Sequence, residues 1–324
     1  MIDPALDVHQ HLWPEPFLAV LRARREPPRL DRWTLHLPGE PPIAVQPADH
    51  DPCIRAGWLR DESVTAVLSH SSPLGVENLP LAQSRRLLDA YHEGVVALTD
   101  VTGPEPRLGW WAALPRETAL SDRVSSRREL CSLLDRGAAG LQLPAPWLGR
   151  PEEFVALRPL LATLQEADRP LFIHPGFVPP GFPATGLGGS RVGSAESQPR
   201  WWAPVVDYTA QMAAAWWSWH ALARSGLPTL RVCFAAGAGL APVHQERLRA
   251  RGGVVAATDP LTFVELSGYG PQAFDALLRV LGVDVLVSAS DHPYAVALEI
   301  PTDPAANRAL RHTNPHRLMS GGMP

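Results

Sequence analysis

Eight short apolar segments recur along this chain, each followed by a loop and, in most cases, by a stretch with helical spacing. They are Ala5–His11, Val64–His70, Gly109–Leu114, Ala138–Leu143, Pro170–His174, Leu230–Ala235, Leu261–Ser267 and Val285–Ser290. Helix patterns lie between them at Leu79–Tyr91, Glu153–Ala167, Val205–Ala223, Ala241–Ala250 and Pro271–Leu281. A helix between two strands acts as a crossover, and crossovers make neighbouring strands parallel. Eight such strands in 324 residues predict an α/β fold, a closed (β/α)8 TIM barrel, with residues 1–324 as a single domain. No G-x-G-x-x-G follows the first strand, as a dinucleotide-binding open sheet would need.

Two connections are too long for simple barrel loops. One runs from Leu12 to Glu62. The other runs from Pro175 to Pro204, is rich in Pro, Gly and Ser, and contains Trp201-Trp202 near its end. Both follow a strand, after strands 1 and 5, so both belong to the C-terminal face where barrels build their pockets.

The residues at three strand ends give that face a chemistry. In Asp7-Val8-His9-Gln10-His11 the alternation of a strand turns His9 and His11 to one side. Strand 5 ends in His174 and strand 8 in Asp291, and closure sets strand 8 beside strand 1. His9, His11, His174 and Asp291 are therefore the expected ligands of one divalent ion, with zinc the expected metal. Three imidazoles and a carboxylate leave room for a water, which zinc would acidify toward about pH 7. Asp291 is also the expected general base. His70, ending strand 2, is the candidate second acid/base group. Trp13, directly after the metal strand, Arg55, a possible bidentate clamp for a carboxylate, and His292 are the candidate substrate-binding residues.

Composition excludes several alternatives. Every residue counted as Lys+Arg is arginine, so Schiff-base chemistry, lysine-anchored pyridoxal phosphate, a P-loop lysine and a carbamylated lysine bridging two metals are ruled out. Cys53, Cys131 and Cys233 are odd in number and widely spaced, which predicts reduced thiols in a cytoplasmic protein. The charge of −4 with scattered arginines offers nucleic acid no basic stripe. No apolar run reaches the roughly 18 residues that span a bilayer, and no signal-like segment opens the chain. A small molecule is thus the expected partner. Trp216, Trp217 and Trp219 cannot share one helix face, so some are expected on the barrel exterior or at a homodimer contact.

These motifs resemble the amidohydrolase superfamily, in the branch that holds aminocarboxymuconate-semialdehyde decarboxylase and γ-resorcylate decarboxylase. That branch looks like D-x-H-x-H on strand 1, H-P-G or similar on strand 5 and G-[ST]-D-x-P on strand 8. Here these read Asp7–His11, His174-Pro175-Gly176 and Ala289-Ser290-Asp291-His292-Pro293. The segment Arg231–Pro242 and the late Asn314-Pro315 also resemble it. The resemblance implies a TIM barrel with one divalent metal, often zinc. Gln142 stands where binuclear members carry a lysine, in keeping with a mononuclear site. The departure that matters is Ala236, which occupies the position of the decarboxylases' strand-6 acid/base histidine. Hydrolysis of an amide, lactone or similar acyl bond needs no such histidine and is the expected reaction. Its rival is non-oxidative decarboxylation of an aromatic or unsaturated acid, with His70 as the substitute. A barrel that only binds a ligand is the third alternative, and four intact convergent ligands argue against it.

Overall fold

The computed structural model describes residues 5–101, 108–121, 123–179, 199, 201–254, 258–295 and 303–320. The chain opens with β1 (Ala5–Gln10) and then forms a small antiparallel sheet of β2 (Arg29–Asp31), β3 (Thr34–His36) and β4 (Ile43–Ala44). It continues through β5 (Val64–Leu68), β6 (Leu108–Ala112), β7 (Gly140–Pro144), β8 (Leu171–His174), β9 (Val232–Phe234), β10 (Thr262–Glu265) and β11 (Leu286–Val287). β1 and β5 to β11 pair in that order, all parallel. Just past β11, His292 bridges Gln10, and the His11 N–H donates to the His292 carbonyl at 2.7 Å. The sheet closes there into the (β/α)8 barrel.

The strand residues are buried on both faces, as expected of strands enclosed by helices outside and packed side chains inside. The helix Pro271–Leu281 shows the outer layer, burying Phe274, Leu277 and Leu281 on one stripe. Trp216 packs on Phe234 (5.1 Å between ring centroids) and Trp219 is fully buried, so both cover the barrel wall. Inside, Trp111 stacks on Phe172 at 5.2 Å and donates from Nε1 to the Val8 carbonyl at 2.9 Å. Gly140 makes this plug possible. A Cβ there would lie 2.2 Å from the Pro170 carbonyl oxygen and 2.8 Å from the Trp111 ring.

Asp7 ties the seam. Its Oδ1 accepts from the His9 and Ser290 N–H groups (3.1 and 3.2 Å), and its Oδ2 from Gln10 Nε2 and Ser290 Oγ (2.8 and 2.6 Å). β1 carries a register irregularity between Asp7 and Gln10, so its alternation is not strict.

The excursion after β1 holds its own sheet and the helices Glu15–Ala23 and Pro52–Asp61. One expectation needs correction. The helix expected over Ala241–Ala250 is regular only from Gln245, because residues 236–240 turn the other way, as described below. Residues 180–198 and 200 of the second excursion lie outside the described residues. No helix among the described residues is long and apolar enough to cross a membrane.

Candidate metal centre

The structure brings His9, His11, His174 and Asp291 together, with one ligand-type atom from each lying within 4.8 Å of all the others. His9 and His11 come from the end of β1, and His174 from β8, where it shares the inward face with Phe172. Asp291 sits just beyond β11 in a left-handed turn (φ 53°), a conformation short Asp side chains tolerate better than most. Its N–H donates to the His9 carbonyl at 2.9 Å, which swings the carboxylate over β1.

Hydrogen bonds on the far side of each ring decide which atoms face the centre. His9 Nδ1 lies 3.2 Å from Glu265 Oε2, His11 Nδ1 2.9 Å from the Ser69 carbonyl, and His174 Nδ1 2.7 Å from the Pro175 carbonyl. Each Nδ1 faces an acceptor and therefore carries the proton, which leaves each Nε2 its lone pair. Nε2 of His9 and His11 are 3.1 Å apart and lie 3.2 and 3.0 Å from Asp291 Oδ1. Asp291 Oδ1 has no hydrogen-bond partner among the described residues. A single proton can bridge only one pair among these four acceptors, whereas a cation engages all of them. The donor set fits a divalent metal.

The electrostatics agree. Burial opposes charge on His9, yet Asp291 and Glu265 outweigh it and raise its pKa to about 9. The negative potential that holds a proton on His9 would equally hold a cation. Burial lowers His11, despite Asp291, and lowers His174 further, so both rings stay neutral.

Glu265 was not among the expected residues. Fully buried at the end of β10, it also accepts from the Ala236 N–H at 3.0 Å and from the Ser267 N–H. The signal was present in the sequence: a carboxylate where an apolar strand reaches the barrel mouth.

The remaining expected site residues take other places. Arg55 is only 3% exposed and spends its guanidinium on Gln10 Oε1 (2.9 Å), the His11 carbonyl (3.1 Å) and the Asp49 carbonyl (3.0 Å). It braces β1, with Nη2 bonded to two backbone carbonyls and Nη1 to Gln10. Trp13 is buried, stacks on His50 at 4.3 Å, and donates to Ser71 Oγ, which lies 3.2 Å from His11 Nδ1. It supports His11 from behind. His292, partly buried, stacks on Trp58 at 5.5 Å. His70 is fully buried against Phe17 and Tyr91, with Nε2 3.7 Å from Glu77, and does not reach the open mouth. Tyr294, which is half exposed, lays its ring 5.1 Å from that of His11 and is the aromatic side chain at the mouth that sequence reasoning missed.

Ala236 opens a run of five residues with positive φ: Ala236 (48°), Gly237 (59°), Ala238 (52°), Gly239 (59°) and Leu240 (57°). This is a turn of left-handed helix, costing roughly 1–2 kcal/mol at each non-glycine position. Close packing enforces it at Gly239, where a Cβ would meet the Thr209 carbonyl oxygen at 2.2 Å.

No family model matches the chain, and no curated protein matches it. Solved structures do. IDCase of Metarhizium anisopliae in its apo form superposes with a TM-score of 0.72 at 15% identity, covering 98% of this chain and 97% of that one. The 2,6-dihydroxybenzoate decarboxylase from Rhizobium gives 0.68 at 16% identity, covering 98% and 99%. The 5-carboxyvanillate decarboxylase of Novosphingobium aromaticivorans, solved with manganese and 4-hydroxy-3-methoxy-5-nitrobenzoic acid, gives 0.69 at 15%, covering 98% and 96%. The likeness is one of fold, the (β/α)8 barrel, over nearly the whole chain. In this barrel the four convergent groups occupy the C-terminal mouth, where enzymes of this architecture place their chemistry.

Proposed function

We propose that this chain is a metal-dependent carboxy-lyase that removes CO2 from a small aromatic or unsaturated carboxylic acid. The observation that supports it is the convergence of His9, His11, His174 and Asp291 at the mouth of a barrel whose solved likenesses include several decarboxylases. A divalent ion held by those four groups would supply a Lewis acid. The 5-carboxyvanillate decarboxylase of Novosphingobium aromaticivorans was solved with manganese, which supports manganese beside zinc as the ion.

The chain's own residues supply the rest. Glu265, the Ser69 carbonyl and the Pro175 carbonyl hold the three rings with Nδ1 facing away and Nε2 turned to the centre. Phe172 and Trp111 close the barrel below the centre and keep water from reaching it from underneath. Asp291 has a quarter-exposed side chain and is the group placed to hold a proton on the substrate side. When carbon loses CO2 it must gain a proton, and Asp291 in its acid form is placed to give it.

Ala236 favours a second reading, hydrolysis of an acyl bond, in which the Asp291 carboxylate takes a proton from water and no strand-6 acid is required. The two readings separate in one assay. Protein loaded with Mn2+ or Zn2+ is offered 5-carboxyvanillate, 2,6-dihydroxybenzoate and related acids with CO2 release followed, and lactones and amides with acid release followed. CO2 release that falls roughly 10²-fold or more in D291N supports the carboxy-lyase. Turnover of lactones or amides alone would move the assignment to a hydrolase.

A further inference from the structure

The ends of β5 and β7, the loop 71–78 and the helix Leu81–Val101 enclose a second group of buried polar side chains beside the metal centre. His70, Ser72, Glu77, Tyr91 and Gln142 are each at most 1% exposed. Gln142 Nε2 donates to the His70 carbonyl (2.7 Å) and to Ser72 Oγ (2.9 Å), and Ser72 Oγ donates in turn to Glu77 Oε1. His70 Nε2 lies 3.7 Å from Glu77 Oε2, and its ring centroid lies 5.1 Å from that of Tyr91. Yet Glu77 Oε2, both ring nitrogens of His70, Gln142 Oε1 and the Tyr91 hydroxyl have no hydrogen-bond partner among the described residues.

Leaving such atoms bare costs on the order of 1–3 kcal/mol each, and together they would consume much of a domain's net stability. The inventory also says what must satisfy them. Gln142 Oε1 offers a bare acceptor, while Glu77 as an acid, a neutral imidazole and the Tyr91 hydroxyl each offer a donor and an acceptor. A guest that both donates and accepts answers that mixture, and water does so. The titratable groups facing the pair are Tyr91, His92, His11 and His174, and none is a cation that would pair with a carboxylate. Burial accordingly pushes Glu77 up to about 7 and His70 down to about 3.

We propose that His70, Glu77, Tyr91 and Gln142 line an internal hydrated chamber in which Glu77 is kept as the neutral acid and shares its proton with His70 through bound water. The chamber adjoins the metal centre at Ser69, whose carbonyl accepts from His11 and whose neighbour in the chain is His70. It needs neither the metal nor the reaction proposed above. One consequence follows for stability. Glu77 binds its proton more tightly in the fold than at its ordinary value of 4.5, so its contribution is complete below that value and is lost as pH rises through about 7.

Infrared difference spectra of wild type and E77Q test the proposal, taken between about pH 5 and pH 9, either side of the Glu77 transition. The expected result is a protonated-carboxyl carbonyl band in the wild type near pH 6, absent from E77Q and fading as pH passes about 7. A high-resolution crystal structure of the wild type should place a water within hydrogen-bonding distance of Glu77 Oε2 and His70 Nε2. That second measurement stands even if E77Q fails to fold. A Glu77 ionised across the whole range, or a dry chamber with Glu77 bonded directly to His70, would overturn the proposal.

Discussion

Replacing Glu265 by glutamine tests how the metal centre is held without touching any of its four ligand atoms. Glu265 accepts three hydrogen bonds: from His9 Nδ1 and the Ala236 N–H at one oxygen, and from the Ser267 N–H at the other. Glutamine has one carbonyl oxygen and one NH2. Whichever way the amide turns, at least one N–H in a fully buried site faces another donor. If the carbonyl stays with Ser267, His9 loses the partner that fixes its ring and its tautomer. Loss of such an outer partner lowers metal affinity by about 10- to 100-fold, or roughly 1.4–2.7 kcal/mol. The orphaned N–H would destabilise the fold by a further 1–3 kcal/mol or so. Competition titration against a fluorescent chelator reads the first effect with Mn2+ or Zn2+, and urea unfolding in the presence of EDTA reads the second. E265Q protein that binds either ion as tightly as wild type would refute the reasoning, because His9 would then need no carboxylate behind it.

Asp7 makes four bonds across the barrel seam, two at each oxygen, so D7N should lose two of them and destabilise the fold by about 2–4 kcal/mol in urea unfolding. An unchanged midpoint would mean the seam is held elsewhere. Arg55 uses a planar fork that lysine cannot reproduce, so R55K should lower the melting temperature and leave KM for carboxylate substrates unaltered. A raised KM with an unchanged melting temperature would restore Arg55 as a substrate clamp.

The barrel and the four metal-facing groups were legible because both follow from short-range rules. Apolar runs marked the strands, and strand alternation together with strand ends pointed His9, His11, His174 and Asp291 at one place. What escaped depended on contacts between distant segments. Arg55 reads like a surface residue of an unremarkable helix, and only the docking of Pro52–Asp61 against β1 turns its guanidinium onto Gln10 and the His11 backbone. The helix expected over Ala241–Ala250 starts late, at Gln245, behind a left-handed turn over residues 236–240 in which Gly239 packs against Thr209, Gly237 against Tyr269, and Glu265 holds the Ala236 N–H. Strands β2 to β4 are two or three residues long, too short to display a period of two. His70 lies two residues past the end of its strand at Leu68, and the loop 71–78 and Phe17 close over it.

The central claim is that four side chains from β1, β8 and the end of β11 hold one divalent ion. Elemental analysis of wild type and of the double variant H9A/H174A, both purified from metal-supplemented cultures without chelator, measures it directly. The expected result is about one transition-metal ion per chain in wild type, with the ion lost from a double variant that still shows the wild-type circular dichroism spectrum. Wild-type protein free of metal after such a preparation, or a double variant that retains the full complement, would contradict it.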